Sequence, residues 1–211
     1  MRSKTVILCL CIAALVAGCT RTDQGEPAPA TTDPPTESVP STTSEEPDED
    51  LPTDGAPTVP DPLDTSTFQE EPCRSLTSAQ SQELNVGTAG KQSEDVLGNA
   101  CEWSNAETHG AAIISFLDKD PRGLSALYKA DKAGKWAYFE ELSPIEGFPA
   151  IARAVADDRA DGTCSIVVGT SDEIAFDVSL VLSLANRGKK DSCDVAAQVA
   201  GMALQTMRQG G

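Results

Sequence analysis

Residues 20–67 hold ten of the chain's fourteen prolines, twelve acids against the single base Arg21, and no aromatic residue. Their large aliphatics are Val39, Leu51, Val59 and Leu63. A stretch of this composition buries too little apolar surface to offset the entropy of ordering it. Proline and like-charge repulsion hold it extended, so it spans about 40 Å as a coil and about 150 Å in polyproline form. Folding is therefore expected to start at Phe68, with residues 19–67 a disordered acidic Pro/Thr-rich tether.

What precedes the tether has the layout of an export signal. Arg2 and Lys4 give a short positive segment, Thr5 to Val16 is mostly apolar, and Ala17 and Gly18 lead to Cys19. The apolar run is short of the roughly 20 residues that a spanning helix needs. Residues 1–18 thus read as a secretory signal peptide. Val16-Ala17-Gly18-Cys19 resembles a bacterial lipobox, in which a diacylglycerol is placed on the cysteine thiol and the chain is cut just before it. A thiol flanked by small residues suits the transferase and protease that must reach it, and two or more acyl chains anchor stably where one is marginal. Cys19 is expected to be lipidated, with the domain held on the extracytoplasmic face of the cell membrane.

The segment 68–211 is long enough for one core. It carries twenty-one acids against thirteen bases. That balance argues against nucleic acid, whose phosphates require clustered Lys and Arg. Four cysteines remain after export: Cys73, Cys101, Cys164 and Cys193. An even number in an exported chain implies two disulfides. Four cysteines allow three pairings. Cys73–Cys101 and Cys164–Cys193 are favoured, the second because a hairpin after Cys164 brings the chain back beside it shortly before Cys193. The spacing matches no compact zinc pattern and His109 is the one histidine, so no metal site and no cofactor are expected.

Thr77 is placed to cap a helix running to about Leu84. Gly87 to Gly98 reads as a polar loop. Ala100–Ser104 and Ala111–Leu117 read as strands joined by a turn over Asn105–Gly110. Asp120-Pro121 opens a helix with Leu124, Leu127 and Tyr128 on one face. Trp136–Leu142 and Ile151–Ala156 are further strand candidates, with Gly147-Phe148-Pro149 a turn between them. Cys164–Gly169 and Ile174–Leu184 flank a hairpin turn at Thr170–Glu173. Asp191 or Ser192 caps a last helix whose apolar contacts come from Val195, Val199, Met202 and Leu204. The order suggests an α+β domain, an antiparallel sheet with helices packed on one face.

No catalytic constellation emerges. A Ser-His-Asp or Cys-His site would need His109, which sits in the solvated stretch Glu107–Gly110. No phosphate-binding glycine loop or Gly-x-Ser-x-Gly elbow is present. Glu140-Glu141 and Asp157-Asp158 read as solvated faces rather than a paired-acid site. Trp136 and Tyr138 share one face of their strand, with Phe139 on the other. Together with Phe148 they are the candidates for lining a ligand cleft.

The motifs Glu71-Pro72-Cys73, Leu76-Thr77, Cys101-Glu102-Trp103 and Gly147-Phe148-Pro149-Ala150, followed by Cys164 and Cys193, resemble the actinobacterial lipoproteins of the domain-of-unknown-function 3558 family. The resemblance covers residues 70–208 and the lipobox. It departs at Glu71, where the family usually has aspartate. It implies an exported, membrane-tethered domain with no assigned activity. The layout is also similar to that of lipoproteins with a PsbP- or Mog1-like domain. The expected role is a tethered domain, without catalytic activity, that binds an envelope lipid, glycan or protein. The alternative is a structural or accessory lipoprotein acting through protein–protein contacts alone.

Overall fold

The computed structural model describes residues 50–210. The signal segment, Cys19 and residues 20–49 of the expected tether lie outside the described residues.

Seven strands form one antiparallel sheet: β1 (Lys91–Glu94), β2 (Asn99–Asn105), β3 (Gly110–Phe116), β4 (Tyr138–Ile145), β5 (Phe148–Ala154), β6 (Thr163–Gly169) and β7 (Ala175–Val181). Their spatial order is β1-β2-β3-β7-β6-β5-β4. The helices are α1 (Ser66–Glu70), α2 (Ser78–Glu83), α3 (Gly123–Lys132) and α4 (Ser192–Arg208), with a 3-10 turn at Pro72–Ser75. The chain leaves the middle of the sheet after β3, crosses through α3 to the far edge at β4, and returns as a meander. Its last strand closes against β3, with Ile114 opposite Val178. This is the expected α+β class.

Strand alternation creates two unlike faces. One presents Trp103, Ile114, Phe116, Ile166, Val168, Phe176 and Leu180. α4 covers it with a stripe of Ala196, Val199, Ala200, Ala203, Leu204 and Met207, recurring every three or four residues. Asp191 starts this helix by accepting the N–H groups of Cys193 and Asp194 at 2.7 and 3.0 Å. α2 starts with a capping box, Thr77 and Gln80 each accepting the other's backbone N–H. The second face is covered in part by α3, the exception to a single helical layer. Its Leu124, Leu127 and Tyr128 pack with Ile151, Val167 and Ala175.

The expected disulfides form. Cys73–Cys101 and Cys164–Cys193 have Cα separations of 5.0 and 5.1 Å. The first ties the 3-10 turn to the middle of β2, and the second ties the first turn of α4 to β6.

The tether boundary at residue 67 is corrected. Residues 51–65 lie on the domain and pack across the β6–β7 turn. The Thr53 N–H donates to Ser125 Oγ at 2.9 Å, the Val59 N–H to Asp172 Oδ1 at 2.8 Å, and the Leu63 N–H to the Thr170 carbonyl at 2.8 Å. Ala56 joins the α3 side of the core and Val59 the α4 side. Composition averaged over the whole stretch conceals this, because a few well-placed apolar residues and satisfied N–H groups suffice for an extended segment. Deleting residues 50–67 is expected to cost about 2–3 kcal/mol, from the burial of Val59 and three hydrogen bonds less their ordering entropy. Urea unfolding of chains starting at residue 50 and at Phe68 checks this, and equal midpoints would contradict it.

Two further expectations change. The polar loop over Gly87–Gly98 contains β1, an edge strand whose four residues are all exposed. It is held by backbone pairing to β2, with Gln92 opposite Cys101, so no apolar alternation marks it. The turn expected at Gly147-Phe148-Pro149 is made by Glu146 and Gly147, with φ of 51° and 88°. Phe148 and Pro149 already belong to β5, beside a register irregularity between Leu142 and Ile145. A bulge is where a strand tolerates proline.

Candidate functional site

The expected aromatic cleft of Trp136, Tyr138 and Phe148 does not form. β4 begins only at Tyr138, so the period-two pattern does not extend back to Trp136. Trp136 packs with Phe139 on the α3 side, where its indole N–H donates to the Leu127 carbonyl at 3.1 Å. Phe139 sits edge-on to Tyr128, with ring centroids 5.2 Å apart. Phe148 is buried on the α4 side, with the Arg208 guanidinium 5.2 Å from its ring centre. Tyr138 lines a slot of its own.

That slot has a cause in the sheet. The β5–β6 ladder runs from Ala150 opposite Val168 to Ala152 opposite Ile166 and then stops. Both strands continue, β5 against β4 and β6 against β7. Between them opens a slot of about 170 Å³ lined by Tyr138, Arg153, Val155, Arg159 and Ser165. The Arg159 guanidinium lies 3.4 Å from the Tyr138 ring centre and grips Asp157 through two hydrogen bonds of 2.7 and 2.6 Å. Those bonds hold the Asp157 carboxyl below the usual carboxylate range. Burial, and then the hydrogen bond to Glu140, push the Tyr138 phenol above its ordinary value. The cations of the slot are thus engaged within the chain.

At the floor of the slot lies a buried polar cluster with no counterpart among the expected site residues. Asp177, 2% exposed, forms an ion pair with Arg153, 15% exposed. It also accepts the Ser165 and Ser179 hydroxyls at 2.7 and 2.9 Å. Arg153 in turn lies 5.0 Å from the centre of the Trp136 ring. An aspartate between Phe176 and Val178 in mid-strand was a legible signal for such a group.

A second, larger cleft opens between α2 and α4 on the other face. Its volume is about 250 Å³. Leu84, Val86, Leu180, Leu182 and Val195 give it an aliphatic lining, and Glu83, Ser183, Asn186, Lys190 and Gln198 its polar groups. Local structure fixes each wall. The α2 wall is held where the Asn105 amide donates to Asn85 Oδ1 at 3.2 Å and where Gly87 takes a φ of 94°. A Cβ on Gly87 would lie 2.5 Å from the Ser104 carbonyl oxygen, so only glycine lets this loop approach β2 so closely. The α4 wall is stapled by Cys164–Cys193 and by the Ser192 hydroxyl donating to the Thr163 carbonyl at 3.2 Å.

Among the described residues, the side chains of Ser183, Asn186, Lys190 and Gln198 make no hydrogen bond or ion pair with the rest of the chain, unlike Arg153 and Arg159 in the slot. None of these four residues stands in a sequence motif. They come from a loop and one helix and carry no shared spacing that would group them. His109 projects from the exposed β2–β3 turn, at a φ of 59°. Glu140 and Glu141 are exposed on edge strand β4, and the Tyr128 phenol is pushed above its ordinary value, first by burial and then by interaction with the Glu141 carboxylate.

Residues 14–206 match the model of a family described as protein of unknown function (DUF3558). The chain belongs to the DUF3558 family. The match begins before Cys19 and takes in nearly all of the described residues, including both disulfides. No curated protein and no solved structure matches this DUF3558 chain.

Proposed function

We propose that this DUF3558 protein is a cell-envelope lipoprotein, anchored through Cys19 on the extracytoplasmic face. Its domain binds a small envelope molecule in the α2–α4 cleft without catalysing its conversion. The cleft carries the reading: polar side chains unengaged within the described chain surround an aliphatic floor, the arrangement of a ligand site. The two disulfides suit an oxidising compartment outside the cytoplasm. The Val16-Ala17-Gly18-Cys19 sequence supports the anchor.

Both halves are open to test. Cys19→Ala is expected to abolish incorporation of labelled fatty acid and to shift the protein out of the washed-membrane fraction. Undiminished labelling of the variant would contradict the anchor. For the cleft, amide shifts are followed while a small-molecule extract of the envelope is added. Changes are expected to cluster at Leu84, Leu180, Leu182 and Val195. Changes confined to other surfaces would contradict the cleft assignment.

A further inference from the structure

Resting on the binding role proposed above, we propose that the α2–α4 cleft takes a small amphipathic carboxylate, its aliphatic chain on the floor and its head group at Lys190. Three features of the cleft carry this.

The lining of Leu84, Val86, Leu180, Leu182 and Val195 contains no aromatic ring. Flat rings and sugars are held by stacking on aromatic faces, whereas a flexible chain needs only apolar area. The volume of about 250 Å³ holds roughly eight groups the size of a water molecule. That is room for a short chain and too little to enclose a two-tailed lipid.

The charged lining residues are one base, Lys190, and one acid, Glu83, and further positive charge lies beside Lys190 in the sequence. Arg187, Lys189 and Lys190 fall within four residues, in a segment where acids outnumber bases. Arg187 Nε is engaged by the Leu182 carbonyl at 3.3 Å, whereas the Lys190 ammonium is unpaired among the described residues and lines the cleft. Of the acids at the start of α4, Asp191 caps the helix, and neither it nor Asp194 in the first turn lines the cleft. Glu83 on the α2 side is the carboxylate that also lines the cleft. A single lining cation suits a monoanion better than a dianion such as a phosphate ester.

The neutral polar groups match the same head. The Asn186 and Gln198 amides and the Ser183 hydroxyl, unengaged within the described chain, can donate to carboxylate oxygens once the ammonium has placed them.

The test uses the exported, full-length protein with octanoate and, as its charge-reversed counterpart, octylammonium. Backbone amide shifts report where each binds and how tightly. Octanoate is expected to perturb Leu180, Leu182 and Val195 and to bind at least tenfold tighter than octylammonium. Lys190→Glu, at an exposed position, is expected to weaken octanoate about tenfold and to strengthen octylammonium. Gln198→Trp, which fills the cleft from an exposed site, is expected to abolish both. Equal binding of the two amphiphiles in the cleft, with Lys190→Glu indifferent, overturns the carboxylate assignment and leaves a binding cleft standing. Absence of cleft shifts with either amphiphile also overturns it. In that case the envelope extract added to the same sample decides the broader reading: shifts in the cleft keep it, and none removes it.

Discussion

Asp177→Ala is expected to lower the unfolding free energy by about 3–5 kcal/mol, the largest effect of any single polar substitution in the domain. The carboxylate is nearly sealed from solvent and serves three donors at once: Arg153, Ser165 and Ser179. Removing it leaves a guanidinium in a mostly buried setting with no counter-charge, and two hydroxyls without an acceptor. The pair itself is worth far less than the cost of breaking it, because its desolvation offsets most of its attraction. A double replacement, Asp177→Leu with Arg153→Met, is therefore expected to be markedly less damaging than Asp177→Ala alone. Urea unfolding of the three variants checks the order. A loss below 1 kcal/mol for Asp177→Ala, or a double variant worse than the single one, would contradict it.

Opening either disulfide is expected to cost about 3 kcal/mol. The bridges join positions 28 and 29 residues apart, so each closes a loop of similar entropy. Against the ~5–15 kcal/mol stability of an ordinary domain, losing both leaves little margin. The two are not equivalent for the cleft. Cys164→Ser with Cys193→Ser releases the first turn of α4 from β6, and with it the wall that carries Val195 and Gln198. Cys73→Ser with Cys101→Ser frees the 3-10 turn and leaves that wall in place. Similar losses of stability with unlike losses of ligand-induced shifts are the expected outcome, measured by urea unfolding and amide shifts on the two double variants. Quantitative alkylation of the unreduced native protein would contradict the bridges altogether.

The elements that could be read from the sequence are those with local signals. α2 had its cap at Thr77, β3 its Ile113, Ile114 and Phe116, and α4 its start at Asp191 or Ser192, of which the structure uses Asp191. The β6–β7 hairpin was legible from the turn residues at 170–173, and through it the Cys164–Cys193 pairing. What was not legible depends on partners distant in sequence. β1 is a strand because β2 lies beside it, not because of its own residues. The segment 51–65 is ordered by Ser125, Thr170 and Asp172, which no composition window contains. The aromatic pairing of Trp136 with Tyr138 failed on a strand boundary, since β4 begins at Tyr138 and strand alternation fixes no face for a residue before it. The cleft was invisible for the same reason as the 51–65 contact. Lys190 and Gln198 meet Leu84 and Val86 only after the sheet and the α4 staple have brought them together.

The most direct test of the binding account is native mass spectrometry of the protein released gently from its own envelope, compared with Gln198→Trp prepared identically. The expected result is a non-covalent small-molecule adduct on the natural chain, lost on mild activation, and absent from Gln198→Trp although that variant unfolds at the same urea concentration. An adduct of equal mass and occupancy on both proteins, or none on either, would contradict the account.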